Sequence, residues 1–246
     1  MRIVVVIPSR YGSSRFEGKP LAYIAGKPMI QHVYESASRA DKISEVTVAT
    51  DDRRIFDAVK SFGGRALMTS PAHRSGSDRV AEAVEQMGLE PDDIAINVQG
   101  DQPMVRPEGF DAVVEPLLRD PELGMSTLAF EITDRQEYTN PKDCKVVMDC
   151  NGDALYFSRA PIPWARDGGD GFTVFKHLGV YAYTRKFLHI FNSLPKGRLE
   201  QIEKLEQLRA LEFGHRIKVV ISPFDSPEVD LPEDIARIER LLRMGQ

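Results

Sequence analysis

Three features of these 246 residues call for an α/β fold on a mainly parallel sheet. Residues 3–7 are apolar without alternation, the pattern of a strand covered on both faces. Strand-like and helix-like stretches then alternate through the first half of the chain, the rhythm of parallel strands joined by right-handed crossovers. The apolar runs end in Gly, Ser and Asp, and ligands of open α/β sheets lie beyond such carboxyl ends.

The elements follow in order. Pro28 is expected at N1 of a helix whose face is Met29, Ile30, Val33, Tyr34 and Ala37. Residues 45–50 predict a strand ending at Asp51-Asp52, residues 52–62 a helix stopped by Gly63-Gly64, and residues 65–69 a further strand. Ser77 is the expected N-cap of the next helix. Residues 93–99 predict a buried strand ending in Gly100-Asp101. The character then changes. Residues 144–150 alternate, and Asn151-Gly152 signals a hairpin that returns through residues 154–159. Residues 175–183 predict another strand. Residues 199–213 predict one amphipathic helix carrying Leu199, Ile202, Leu205, Leu208 and Leu211, stopped by Gly214. Residues 216–222 form the last strand and 233–244 the last helix, with Pro232 at N1 and Asp234 reaching back from N3. No repeat, low-complexity tract or linker is visible, so residues 1–246 read as a single domain with a hairpin or dimerisation insertion over roughly 130–185.

A net charge of −5 argues against general nucleic-acid binding. No apolar run approaches the roughly 20 residues of a membrane span, and the N-terminal run is too short for a signal-peptide core. The cytoplasm is the expected location. Cys144 and Cys150 on one strand would be about 20 Å apart, too far for a disulfide, and are expected as small buried thiols. The five histidines show no zinc spacing.

The chemistry gathers in a few segments. Arg10, Arg15 and Lys19 lie among Gly12 and Gly18 directly after the first strand, a pattern suited to several phosphate oxygens. It is not a Walker A loop: five residues separate Gly12 from Gly18-Lys19, and Pro20 follows where a hydroxyl would bind magnesium. Asp101, after Gly100, suits a hard cation, or simply makes the turn. Asp230, just outside the last helix, is a second carboxylate or a plain turn residue. With an anion cradle, the two describe metal-assisted phosphoryl or nucleotidyl transfer. His73 to Arg79 offers amides, hydroxyls and cations to a base or ribose, or only an N-cap. His177, Gly179 and Tyr181 share a strand face by their spacing of two, and could hydrogen-bond a polyol.

These segments together resemble the 3-deoxy-manno-octulosonate (KDO) cytidylyltransferases, also called CMP-KDO synthetases. The resemblance rests on Pro8-Ser9-Arg10-Tyr11-Gly12-Ser13-Ser14-Arg15-Phe16 with Gly18-Lys19-Pro20-Leu21, on Ser75-Gly76-Ser77-Asp78-Arg79 and on Asn97-Val98-Gln99-Gly100-Asp101. It continues through Ala154-Leu155-Tyr156-Phe157-Ser158-Arg159, Lys176-His177-Leu178-Gly179-Val180-Tyr181 and Leu205-Glu206-Gln207-Leu208-Arg209. It implies a Rossmann-like sheet of the nucleotide-diphospho-sugar transferase type, a homodimer and magnesium. The implied reaction joins CTP and KDO into CMP-KDO and pyrophosphate, for lipopolysaccharide synthesis. By position, Arg10, Arg15 and Lys19 would hold the triphosphate, and Ser75, Gly76 and Asp78 would surround the cytidine. Asp101 and Asp230 would bind magnesium. Gln99, Arg159, His177, Tyr181 and Glu203 would hold the sugar acid.

Three positions depart from the family pattern: Gln102 stands where Glu is usual, Leu231 where Thr is usual, and Gly197-Arg198 where Ser-Pro is usual. The cation at Arg198 leaves the 8-amino analogue of KDO, or another sugar acid, as an alternative substrate. A nucleotide-sensing module without turnover is the rival from another class. A sugar-nucleotide glycosyltransferase lacks its cue, because no Asp-x-Asp follows a mid-chain strand.

Overall fold

The computed structural model describes residues 1–12, 15–169 and 171–244. Ser13 and Ser14 of the basic loop lie outside the described residues. In chain order the elements are β1 (Ile3–Ser9), β2 (Tyr23–Ile24), β3 (Lys27–Pro28), α1 (Met29–Ala37), β4 (Glu45–Thr50), α2 (Arg53–Ser61), β5 (Ala66–Met68), α3 (Gly76–Gln86), β6 (Ile94–Asn97) and α4 (Pro107–Arg119). There follow β7 (Met125–Glu131), α5 (Arg135–Thr139), β8 (Lys145–Met148), β9 (Ala154–Ser158), β10 (Phe175–Thr184), α6 (Arg185–Ser193), α7 (Arg198–Glu203), α8 (Leu208–Glu212), β11 (Lys218–Ser222) and α9 (Asp234–Met244). The chain divides into two compact units, residues 1–111 with 224–246, and residues 112–223. The hairpin segment falls inside the second.

In the first unit, β6, β1, β4 and β5 lie side by side, all parallel. Every residue of β1 is buried, as its unbroken apolar run requires. Burying each such Val or Ile contributes about 1.5–3 kcal/mol. Val6 pairs with Asn97, so β1 and β6 deliver their carboxyl ends to one place. A cluster of Ile24, Met29, Met104, Val229 and Ile238 anchors the returning C-terminal segment. Two expected helix starts move. Pro28 is the N-cap of α1 rather than N1. Ser75, not Ser77, caps α3: its hydroxyl accepts from Asp78 N, and Asp78 accepts from Ser75 N in return.

In the second unit the strand order is β11, β7, β10, β8, β9; β11 runs parallel to β7 and the other pairs are antiparallel. The β8–β9 hairpin turns through Asp149–Asp153: Gly152 N, at φ 81°, donates to Asp149 O at 3.0 Å, and Asp149 N donates to Asp153 O at 2.9 Å. The turn begins before Asn151, so the strand stops at Met148 and Cys150 sits exposed in it, contrary to expectation. Cys144 is buried, and both thiols are free.

The single helix expected over 199–213 is two short ones. Lys204 adopts a left-handed conformation at φ 56° and ends α7. The break folds α8 back on α7, and the carboxylate of Glu212 accepts from Leu199 N and Glu200 N at the start of α7. Leu199 and Ile202, counted toward a buried stripe, are exposed instead. The buried contact between the two helices is polar: Arg209 grips Glu200 through Nε and Nη2, at 2.8 and 2.6 Å.

Candidate active site

The basic segment of the first unit begins where β1 ends. Gly18 N donates to Tyr11 O at 2.9 Å and closes the loop. Gly18 sits at φ 70°, and a Cβ there would lie 3.0 Å from the Tyr11 ring, so both conformation and space require glycine. The Arg54 guanidinium covers the Tyr11 ring at 3.3 Å and is itself held by Asp52. Gly12 lies in open space, and nothing around it demands glycine.

This bracing presents Lys19 to two carboxylates. Its ammonium donates to Asp101 Oδ2 at 2.6 Å and to Val229 O at 3.0 Å, and lies 3.8 Å from Asp230 Oδ1. Arg15 Nη1 reaches Asp230 Oδ2 at 3.2 Å. Val229 is fully buried, and its N donates to Asp101 O, which fixes the C-terminal segment beside Asp101. Leu231 cannot cap α9 with its side chain. Asp234 does so from downstream, accepting from Asp230 N and Leu231 N at 2.9 Å, and thereby places Asp230. Asp101 and Asp230 therefore converge on one cationic position. That geometry, with oxygen-only donors, fits a hard divalent cation with phosphate oxygens filling its other positions.

Sequence reasoning missed Glu228. Its carboxyl end is enclosed and Asp101 and Asp230 repel its charge, which pushes it up to about 7, although the residue as a whole meets solvent. Gln102, fully buried, donates to Glu228 Oε1 at 3.1 Å. Only proximity in sequence to Asp230 could have pointed to Glu228.

A cavity of about 150 Å³ opens beside β1, lined by Ser9, Arg10, His73, Arg74, Ser75, Gly76 and Gln99 among others. The start of α3 forms one wall. A Cβ on Gly76 would lie 3.1 Å from Gln99 Nε2, so glycine lets the helix approach Gln99. Asp78 does not line this cavity; its carboxylate is spent on the cap. Arg79 is a framework residue, buried between Thr69 and Asp51.

The second unit gathers the remaining expected residues. Arg159 Nε donates to Glu203 O at 2.9 Å and Nη1 to Pro141 O at 3.0 Å. Glu203 accepts from Ser158 Oγ at 2.6 Å and Arg159 N at 3.0 Å, so its carboxylate orients the β9 end. On β10 the register shifts: His177 faces Ala129 and Tyr181 faces Thr127. Four residues on one strand thus span two on the other, with Gly179 at φ 67°. Straight strand would put His177 and Tyr181 about 13 Å apart; the bulge brings their rings to 5.0 Å. Tyr181 OH donates to Gln207 Oε1 at 3.0 Å. Thr127 Oγ1 donates to Val180 O, so it accepts from His177 Nε2 at 2.8 Å. That fixes the neutral tautomer with Nε2–H, and burial holds the ring's pKa down at about 3.

Comparison with known proteins places this geometry. A family model described as cytidylyltransferase matches residues 4–217. A 3-deoxy-manno-octulosonate cytidylyltransferase of Desulfosudis oleivorans is 63% identical, covering 98% of each chain. An 8-amino-3,8-dideoxy-manno-octulosonate cytidylyltransferase of Shewanella amazonensis is 58% identical over 99% of this chain and 100% of its own. A solved structure of CMP:2-keto-3-deoxy-manno-octonic acid synthetase complexed with CTP superposes with a TM-score of 0.93 at 43% identity, covering 100% of both chains.

Proposed function

We propose, from the premise that this chain belongs to the cytidylyltransferase family, that it transfers CMP from CTP to the anomeric hydroxyl of 3-deoxy-manno-octulosonate and releases pyrophosphate. The observation that carries the reading is the convergence of Lys19, Arg15, Asp101 and Asp230 beside the cavity at the end of β1. Cations and hard-cation ligands at one point are what a triphosphate needs.

Arg10, Arg15 and Lys19 bind the triphosphate oxygens, and the wall at Ser75 and Gly76 takes the cytidine. Asp101 and Asp230 would hold a magnesium ion, which when bound neutralises phosphate charge and orients the α-phosphate. The anomeric hydroxyl attacks the α-phosphorus and gives up its proton to solvent, the bond from phosphorus to the bridging oxygen breaks, and pyrophosphate departs. Lys19 and Arg15 stabilise the charge that develops on the transferring and leaving oxygens. Within the second unit, Arg159, His177 and Tyr181 hold the sugar acid: Arg159 pairs with its carboxylate, and the His177 and Tyr181 edges accept and donate to hydroxyls.

The unmodified sugar is favoured over its 8-amino analogue by how the acids are used. Glu200 is locked in a buried pair with Arg209, and both Glu203 oxygens already accept from Ser158 and Arg159. Neither is set aside to receive an ammonium. The enzyme acts in the cytoplasm as a homodimer. Among the described residues no helix is long and apolar enough to cross a membrane.

The test is pyrophosphate release from CTP with each sugar acid at one pH and salt. Higher kcat/KM for KDO supports the reading. A clear preference for the amino sugar overturns the sugar assignment, and no turnover with any sugar acid overturns the transfer itself. Light scattering that gives a monomer removes the dimer.

A further inference from the structure

Lys145, on β8 of the second unit, is fully buried, and none of the chemistry above uses it. A buried ammonium is costly unless its protons are satisfied. Here main chain takes two of the three: Nζ donates to Asn140 O at 2.8 Å and to Asp143 O. Among the described residues no carboxylate forms an ion pair with it. Burial lowers its pKa from the usual lysine range against the opposing pull of Cys144, Asp143 and Glu203, and Arg159 adds to the lowering.

The carbonyls that Lys145 gathers belong to the segment that orients the sugar-acid residues. Between them lies Pro141, whose carbonyl accepts from Arg159 Nη1 at 3.0 Å. Just after them lies Cys144, whose carbonyl accepts from His177 N at 2.8 Å. Removing the ammonium would leave Asp143 O without its donor and the turn held across it only by Asp143 N to Asn140 O, at 3.2 Å. Arg159 would keep its bond to Glu203 O but lose the fixed carbonyl on its other side, and a planar guanidinium held at one point no longer presents a fixed fork.

We propose that Lys145 is a positioning residue for recognition of the sugar acid's carboxylate: it pins residues 140–144, and their carbonyls set the orientation of Arg159. This rests on the assignment of Arg159 to the sugar acid.

The experiment is steady-state kinetics on the full chain with Lys145→Met, Arg159→Gln and the double variant, each checked for folding by circular dichroism and melting. Lys145→Met is expected to raise KM for the sugar acid about tenfold or more while KM for CTP changes less than about twofold. Added to Arg159→Gln it should raise sugar KM by less than about twofold further, because it acts through that arginine. Lys145→Gln keeps a donor group on a shorter side chain and should fall between wild type and Lys145→Met. An unchanged sugar KM, equal changes in both KM values, or additive effects with Arg159→Gln overturn the proposal. So does loss of the fold in both Lys145 variants, which would assign the lysine to stability alone. Normal sugar KM in Arg159→Gln by itself shows instead that the arginine's assignment fails, and a wild type that does not release pyrophosphate shows that the reaction does.

Discussion

The two units keep their charges differently. In the first, Lys19, Asp101 and Asp230 have side chains 13, 24 and 23% exposed, and Arg15 is 62% exposed. In the second, Arg209 and Glu200 are 6 and 9% exposed and doubly bonded, while Lys145 is fully enclosed. Partly wet pairs exchange partners at little cost, because water replaces what is lost. Dry pairs do not, because a widowed charge stays in low dielectric. The basic loop of the first unit can thus surrender these ion pairs to a nucleotide, whereas the Arg209–Glu200 pair of the second serves as framework around residues already oriented.

Breaking the dry pair should have the largest effect. Arg209→Met leaves Glu200 buried without its cation and is expected to lower unfolding free energy by about 3–5 kcal/mol. Urea denaturation measures it, and a loss below about 1 kcal/mol would erase the contrast between the units. Next comes Lys19→Ala, which should slow pyrophosphate release about 10²–10³-fold, the usual loss for one charge-stabilising donor. Its melting temperature should move little, since the pair it breaks is wet. A large drop in stability with modest loss of rate would invert the comparison.

Arg159→Ala is expected to raise KM for the sugar acid about 10–100-fold, the range for a lost hydrogen bond to a charged group, with KM for CTP unchanged. The smallest effect is on pH. His177 has a folded pKa of about 3, below the unfolded value of 6.5. Its contribution is therefore complete above pH 6.5 and declines as pH falls toward 3, because the unfolded chain binds the proton first. The decline is at most about 1.4 kcal/mol per pH unit. The stability gap between wild type and His177→Gln should narrow between pH 7 and 4.5; a constant gap would mean that the ring is not held neutral.

Much of this was legible in the sequence. The unbroken run of β1, the Asn151-Gly152 hairpin and the loop carrying Arg10, Arg15 and Lys19 each declare themselves through local pattern. What stayed hidden depends on non-local pairing. The leucine spacing over 199–213 looked helical throughout, because nothing local announces that Glu212 will fold back on Leu199 and Glu200. A spacing of two placed His177 and Tyr181 on one face but not within 5.0 Å, since the bulge at Gly179 appears only against β7. Asp78 was read toward the nucleoside and is occupied instead by the cap on Ser75. Pro107–Arg119 and Arg185–Ser193 were not anticipated as helices at all.

Gly197 links two positions in a way that constrains how this chain can vary. A Cβ there would lie 1.9 Å from Glu212 Oε2, so the carboxylate occupies the very volume that a side chain at 197 would claim. Family relatives by pattern carry Ser-Pro at 197–198, and a serine at that point would cap the helix from within. Here the cap is supplied from fifteen residues downstream on the chain, as the numbering of Gly197 and Glu212 gives. The two solutions exclude each other. A side chain at 197 would displace the Glu212 carboxylate, the far end of a flexible side chain, and so free Leu199 N and Glu200 N from the downstream acceptor that now serves them.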